Sequence, residues 1–365
     1  MKVKIYALDH LGRGIGKINN KVIFIPNTLV DEEVLVEITK ETKKFYEGKV
    51  IQFILISPHR IKPKCPYYNE CGGCSIMHMN YDQQLEFKIN KVRNILLKYA
   101  KISIPISIEK SDKEFYYRNK ITLHSSNGIN GLYKEKTNDI IPIESCIICD
   151  EVINNYINKV GKKAETIIRT NSEQDCIITS QKEEFIKTIN NIKYKLNINS
   201  FFQVNDDVCL KILNYVKENI SINSKVLDLY CGVGTFAIYI SDKVKEVLGV
   251  EVNDSSYQNS LENIELNNTK NVTFKHSKVE NILDDISSYY DTIILDPPRS
   301  GIDDKTIDKI LSSMIKKIIY ISCEPITLAR DLNKLKNEYK IKKIRLFDMF
   351  PQTYHCESVC VLERR

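Results

Sequence analysis

The run VLDLYCGVGTFA, Val226 to Ala237, decides how this chain is read. A β-prone stretch, Val226–Tyr230, runs straight into two close glycines, Gly232 and Gly234, with Ala237 three residues further on. Glycines at such a point let the chain turn sharply from strand to helix and let a ligand approach the backbone. The spacing satisfies G-x-G-x-x-A, so a nicotinamide dinucleotide is a candidate ligand. A bare strand-to-helix turn would account for the glycines equally well. Further β-prone runs follow at Val247–Glu251, Val272–Lys275, Thr292–Asp296 and Ile318–Ser322, with helical stretches between these first five strands. Ile344–Phe347 and Ser358–Leu362 close the chain. This alternation predicts a doubly wound α/β sheet over residues 196–365, with its final strands antiparallel. Glu251 ends the second strand, placed to accept hydrogen bonds from a ribose, and Asp296 ends the fourth in ILDPPRSG.

The fifth strand lies in KKIIYISCEPITLARDL, Lys316–Leu332, and delivers Cys323 to the same rim. Pro325 suits the first position of the following helix. A helix N-terminus is expected to lower the thiol pKa and favour the thiolate, while Glu324 opposes it. Taken alone, a cysteine ending a buried strand is more often inert packing. The Asp296-Pro297-Pro298 run invites comparison with amino-group methyltransferases, whose D-P-P-Y stacks the target base on its aromatic residue. Arg299 stands at that position here, so the target need not be an exocyclic nitrogen. A thiolate serves a different chemistry. Carbon 5 of a pyrimidine is a poor nucleophile until a thiolate adds to carbon 6 and converts the ring to an enolate, which can attack a sulfonium methyl. The carbon 5 proton must then leave, which requires a base. The terminal FPQTYHCESVCVLERR offers Glu357 at the start of the last strand and His355 two residues before it. Cys356 and Cys360 read as packing.

Composition bounds the rest. At 365 residues, two or three domains are expected, and 42% hydrophobic with 27% charged residues is ordinary for a soluble globular protein. A net charge of +6 permits a nucleic-acid partner without demonstrating one. No long apolar run and no signal pattern at MKVKIYALDHLGRG is present, so a cytoplasmic location without a membrane partner is expected. Eleven cysteines in that setting point to metal or catalysis before disulfides.

Residues 1–57 read as a small all-β unit, with alternating runs at Lys21–Pro26 and Glu33–Thr39 between glycine and asparagine turns. GRGIGK lacks the spacing of a phosphate loop. Small basic barrels commonly bind RNA, and a purely structural barrel reads the same way. In CPYYNECGGC, Cys65, Cys71 and Cys74 are spaced C-x5-C-x2-C, with Gly72 and Gly73 letting the backbone wrap tightly. Three clustered thiols need a fourth ligand, from Cys146 or Cys149 in IESCIICDE. Zinc on the two C-x2-C pairs would leave Cys65 idle; a [4Fe–4S] cluster uses the triplet. Tyr81–Tyr99 is helical, with Leu85, Ile89, Val92 and Leu96 as its apolar stripe. Further β-prone runs lie at Lys120–His124, Ile129–Tyr133, Cys176–Thr179 and Lys193–Ile198. Arg118, Lys120, Lys134 and Lys136 lie among Tyr116, Tyr117 and Tyr133, a mixture that suits an RNA-facing surface or a solvated sheet face.

With SFFQVN, LDLYCGVGTF, LDPPRSG, ISCEPITLARDL and FPQTYHCES in this order, nearly the whole chain resembles the RNA 5-methyluridine methyltransferases. That family of class I S-adenosylmethionine-dependent enzymes includes bacterial tRNA and 23S rRNA uridine methyltransferases. S-C-x-P-x-T-x-x-R-D is the specific part of the match. The first unit resembles the family's TRAM RNA-binding domain, and the cysteine triplet that of its iron–sulfur rRNA branch. The resemblance implies Cys323 as nucleophile and Glu357 as base, with Gln203, Tyr230, Glu251 and Asp296 lining the cofactor site. It implies Cys65, Cys71, Cys74 and Cys146 as cluster ligands, since I-x-x-C at Ile143–Cys146 matches the family's fourth ligand. Thr235 stands where some members have asparagine, and Phe201 would stack on a flipped base.

The expected organisation is a TRAM-like barrel (1–57), a central mixed α+β domain with cluster and RNA-contacting surface (58–195), and a methyltransferase domain (196–365). The expected reaction is methyl transfer to carbon 5 of uridine in structured RNA, with 23S rRNA ahead of tRNA and no obligate protein partner implied. The rivals are a cytosine-5 RNA methyltransferase, an RNA-binding factor that has lost activity and, last, a dinucleotide-dependent oxidoreductase.

Overall fold

The structure is a computed structural model that describes residues 1–126, 128–160, 164–171, 176–178, 184–283 and 289–365. Strands β1 (Lys2–Lys4), β2 (Ala7–Leu8), β3 (Gly14–Ile18), β4 (Lys21–Ile25), β5 (Glu33–Glu41) and β6 (Phe45–Leu55) form one sheet in the order β1-β5-β6-β4-β3-β2. Their alternation turns Val3, Ile23, Ile25, Val34 and Val36 into a common core. Asn19 and Asn20, both at positive φ, make the tight hairpin between β3 and β4. Gly16 permits the curl that brings β3 against β1, because a Cβ there would lie 2.2 Å from Val3 Cγ1.

Helix α1 (Tyr81–Ala100) begins at Asn80, whose Oδ1 accepts from the Gln83 amide at 3.0 Å, and ends at Lys101 in the left-handed region. Its buried face differs from the expected stripe. Val92 and Leu96 are buried, but Leu85 and Ile89 are only partly so, while Gln84, Lys88 and Lys91 are buried instead. The reason is what faces them. Fully buried Lys88 pairs with fully buried Asp348 at 2.5 Å and donates to the Phe350 carbonyl at 3.0 Å. Breaking such a pair by removing one partner costs about 3–5 kcal/mol, so the polar half of the helix is held as firmly as its apolar half.

After α1, the strands up to β14 divide among three sheets. β7 (Ile106–Glu109) joins the edge of the C-terminal sheet described below. β8 (Lys120–Ser126), β9 (Ile129–Tyr133), β10 (Ile140–Pro142), β11 (Glu165–Thr170) and β12 (Cys176–Ile178) form a separate sheet ordered β10-β9-β8-β11-β12. Helix α2 (Glu151–Ile157) covers it, burying Ile153 and Ile157 against Ile121, Leu123 and Ile168. Thr179, the last residue of the expected β-prone run, lies outside the described residues. β13 (Glu184–Ile189) and β14 (Ile192–Asn197) form a hairpin through Asn190 and Asn191, again both at positive φ.

The C-terminal region alternates α3 (Asp206–Glu218), β15 (Lys225–Leu229), α4 (Thr235–Ile240), β16 (Glu246–Glu251), α5 (Asp254–Leu266), β17 (Val272–His276), β18 (Thr292–Leu295), α6 (Asp304–Ser312), β19 (Lys317–Ser322), α7 (Pro325–Leu335), β20 (Tyr339–Phe347) and β21 (Glu357–Arg364). The eight-stranded order is β17-β16-β15-β18-β19-β21-β20-β7. β15 to β19 are parallel, and β21 is antiparallel to both neighbours, as expected. One face buries Val226, Ile294 and Ile319 under α3 and α4; the other buries Leu227, Leu295 and Ile318 under α1, α6 and α7. The chain order reverses between β15 and β18, so the crevice beyond their C-terminal ends is the natural ligand site. Among the described residues no helix is long and apolar enough to cross a membrane.

Candidate active site

At the end of β15, Tyr230 adopts φ +63° and Gly232 φ +56°. A Cβ built on Gly232 meets nothing within 4 Å, so the loop faces open space there. Gly234, at φ +84°, has no such freedom, because its Cβ would lie 2.4 Å from the Phe274 ring. Glu251 is fixed by three backbone amides: Gly232 donates to Oε2 at 2.9 Å, and Val252 and Asn253 to Oε1 at 2.8 and 2.6 Å. Tyr230 is half-buried, and burial pushes its phenol up to about 12.

Asp228, which the sequence reading does not single out, is fully buried on β15. Its Oδ2 accepts from the Ala237 amide at 2.9 Å, and its Oδ1 has no partner. Burial first, then the charges of Asp296 and Glu251, push its carboxyl up to about 8. An acidic residue inside an apolar strand was the available signal. A rim of carboxylates around open space, with one buried oxygen unsatisfied, fits a ligand that carries both a cation and hydroxyls. S-adenosylmethionine, with its sulfonium, ammonium and ribose, has that chemistry.

Cys323, the nucleophile expected from the sequence, is positioned by strand register. Ser322 pairs with Ser358 across β19 and β21, so the next outward positions are Cys323 and Glu357. On the other side Leu295 pairs with Tyr320, which brings Asp296 to the same rim. Cys323 is half-buried and Glu357 only 3% exposed. The expectation that the helix would lower the Cys323 pKa is overturned: burial, then Glu357 and Asp296, push it up to about 11, and only Arg299 opposes them. Desolvation and two neighbouring carboxylates outweigh a helix terminus. Burial, helped by Asp296, holds the Glu357 carboxyl well above its usual range, and burial pushes Asp296 up to about 7. His355 is driven down to about 4, by burial and then by the Arg299, Lys91, Lys88 and Arg118 cations.

Helix α7 also grips the DPPRSG loop. Thr327 Oγ1 donates to the Arg299 carbonyl at 3.0 Å, and Arg330 Nη2 to the Ser300 and Ile302 carbonyls at 3.0 and 2.9 Å. Asp331 Oδ2 accepts from the Ile302 amide at 3.0 Å and the Tyr320 hydroxyl at 2.7 Å. Gly301, at φ +75°, is required because a Cβ would lie 2.5 Å from Asp331 Oδ2. The run from Cys323 to Asp331 therefore presents a thiol and fixes the loop that carries Arg299 beside it. Gln203 lies half-buried before α3, its carbonyl accepting from Asn119 Nδ2 at 3.0 Å, and Phe201 is 73% exposed.

Cys65, Cys71, Cys74 and Cys146 line one pocket, walled by Tyr67, Tyr68, Leu132 and Ile143. The Cys71 segment is tied to the β9–β10 hairpin by Gly72 N to Tyr133 O at 3.2 Å and Glu135 N to Glu70 O at 2.9 Å. Cys149 does not line the pocket; it is buried in the core of the β8–β12 sheet. Among the described residues no three Cys, His, Asp or Glu side chains converge tightly enough to hold a single metal ion. The four cysteines line a common pocket, and thiolates are the donors that both zinc and iron–sulfur centres take.

The family profile described as tRNA (uracil-5-)-methyltransferase matches residues 163–365, and that of the TRAM domain matches residues 1–51. An uncharacterized RNA methyltransferase of Mycoplasma mobile is 37% identical, over 100% of this chain and 98% of its own length. One from Aquifex aeolicus is 30% identical, over 100% and 98% respectively. The crystal structure of Pyrococcus abyssi tRNA (uracil-54, C5)-methyltransferase, in complex with S-adenosyl-L-homocysteine, superposes with a TM-score of 0.80 and 26% identity, covering 99% of this chain and 100% of that one. The last of these holds a spent methyl donor, the kind of ligand that the acidic, glycine-lined rim fits here. The protein belongs to the tRNA (uracil-5-)-methyltransferase family and is an S-adenosylmethionine-dependent RNA methyltransferase with an N-terminal TRAM domain.

Proposed function

We propose that the protein methylates carbon 5 of a uridine in structured RNA through a covalent adduct with Cys323, with Glu357 as the base. The observation that carries this reading is the β19–β21 register, which sets a thiol beside a carboxyl at the rim where the methyl donor binds. S-adenosylmethionine supplies an electrophilic methyl group. The Cys323 thiolate forms a bond to carbon 6, and the electron pair displaced from the 5,6 double bond forms the new bond from carbon 5 to that methyl, whose bond to the sulfonium sulfur breaks to release S-adenosylhomocysteine. Glu357, as carboxylate, then takes the carbon 5 proton; the double bond re-forms and the carbon 6–sulfur bond breaks, returning the thiolate. Arg299 stabilises the thiolate against Glu357 and Asp296. Gln203, Tyr230, Glu251 and Asp296 line the donor site, with the Glu251 carboxylate held by backbone amides to receive ribose hydroxyls.

Cys65, Cys71, Cys74 and Cys146 would hold a [4Fe–4S] cluster in the pocket they line, with Cys149 left in the core. Equal amounts of iron and acid-labile sulfide in anaerobically purified protein would support this; a colourless zinc protein would refute it. We take 23S ribosomal RNA as the substrate, because the cysteine set resembles that of the family's rRNA branch. A second reading, tRNA, is favoured by the Pyrococcus enzyme, which acts on tRNA. Incubation with separate 23S and tRNA transcripts, followed by nucleoside analysis, distinguishes them: 5-methyluridine in the 23S transcript is expected, and a product confined to tRNA selects the second reading.

A further inference from the structure

Glu357 is the first residue of β21, and the loop before it, residues 348–356, has a conformation that its own sequence does not dictate. Gln352 sits at φ +70°, in a region that non-glycine residues rarely occupy without outside support. That support comes from segments far away in sequence. The backbone amides of Ser75 and Ile76 both donate to the Gln352 carbonyl, at 3.0 and 3.1 Å. Gln84 on α1 accepts from the Gln352 amide at 2.9 Å and donates to its side chain at 3.0 Å. Lys91 donates to the Tyr354 carbonyl at 2.9 Å, and Tyr117 to the Pro351 carbonyl at 2.9 Å.

One of these ties is a single removable side-chain atom. Ser75 Oγ accepts from the Tyr354 amide at 3.0 Å, three residues before Glu357. Ser75 directly follows Cys74, one of the four pocket cysteines. The same short segment thus lines the cysteine pocket with one residue and grips the loop of the base with the next.

We propose that Ser75 is a positioning residue for Glu357, tying the cysteine pocket to the proton-removal step. The proposal rests on the covalent mechanism above. Ser75 touches neither substrate nor donor; it acts by holding Tyr354, so that Glu357 enters β21 aimed at carbon 5. The cysteine-bearing loop then has a structural task in catalysis that needs no electron transfer. Losing the bond slows the one step that needs the base and spares addition of the thiolate, which needs only Cys323 and its Arg299 neighbour.

The test compares wild type, Ser75→Ala and Ser75→Thr on the same RNA carrying uridine or 5-fluorouridine at the target position. Fluorine cannot leave as a proton does, so the 5-fluorouridine adduct forms whether or not the base is placed well. Ser75→Ala is expected to form that adduct at the wild-type rate. Its turnover on uridine RNA should fall between about tenfold and a hundredfold, in kcat rather than KM. A covalent complex with uridine RNA should accumulate on denaturing gels, and Ser75→Thr, which keeps the hydroxyl, should clear it. Wild-type behaviour of Ser75→Ala, or equal loss of adduct formation and turnover, overturns the positioning role. Wild-type protein that methylates uridine yet gives no 5-fluorouridine adduct overturns the covalent mechanism itself, and with it any base for Ser75 to position.

Discussion

Cys323 and Glu357 stand side by side because Ser322 pairs with Ser358, one position further into the β19–β21 ladder. A one-residue slip of either strand would turn its side chain to the opposite face, so the paired strands, more than any loop, bring the thiol and the carboxyl together. The pairing has an electrostatic consequence. Glu357 disfavours the Cys323 thiolate, Asp296 disfavours the Glu357 carboxylate, and Arg299 is the cation that relieves both.

The first prediction concerns pH. With the Cys323 thiol pushed up to about 11, the thiolate is a minor species at neutrality, and its fraction grows as pH rises. Adduct formation with 5-fluorouridine RNA is expected to accelerate from pH 7 to beyond pH 9. Arg299→Ala, which removes the opposing cation, should slow it at least about tenfold at neutral pH and move the rise to higher pH. Rapid-quench rates across that range check both; a flat profile would contradict them.

Removing the base should separate two halves of the reaction. Glu357→Gln is expected to lower turnover by about 10²–10⁴-fold while leaving a methylated RNA–protein adduct in place. Denaturing gels followed by mass analysis of the crosslinked nucleotide give the answer. Release of free 5-methyluridine RNA at the wild-type rate would assign the proton to another group, with His355 the nearest alternative.

Asp228 offers a stability measurement. Its carboxyl titrates near 8 in the folded chain against 3.8 for an ordinary aspartate, so between those values the folded state holds a proton that the unfolded state has lost. Stability therefore falls as pH rises from about 4 to 8, and Asp296, raised to about 7, adds to the same slope. Asp228→Asn, which stays neutral, should flatten that slope and melt higher than wild type at pH 8 without the methyl donor, by about 1–3 kcal/mol. It should also bind S-adenosylmethionine more weakly. Parallel melting curves for the two proteins would exclude this account.

The two neighbouring cysteines of the second motif are expected to differ. Cys146 lines the pocket and Cys149 lies in the core, so Cys146→Ala should lose bound iron while Cys149→Ala keeps it and loses some stability. Iron analysis of both variants after anaerobic purification decides the matter.

Much of this was legible in the sequence because the chemistry sits where local pattern is strongest. The strand ahead of Gly232, the strand ahead of Cys323 and the start of β21 at Glu357 were all placed to within a residue or two. What was not legible depends on partners distant along the chain. The stripe through Leu85 and Ile89 was the natural reading of an amphipathic helix, yet Gln84, Lys88 and Lys91 are buried because they bond the loop at 348–354. The addition of β7 to the sheet edge beside β20 has no signal in so short a strand. The rise in the Cys323 pKa, against the fall expected at a helix start, comes first from burial and then from Glu357 and Asp296, carried at the ends of two other strands.

The measurement that tests the central claim most directly is mass spectrometry of the complex formed with 5-fluorouridine RNA and S-adenosylmethionine. A methylated adduct on Cys323 is expected in the wild-type protein, with none in Cys323→Ala. An adduct that persists in Cys323→Ala, or lies on another residue, would contradict the account.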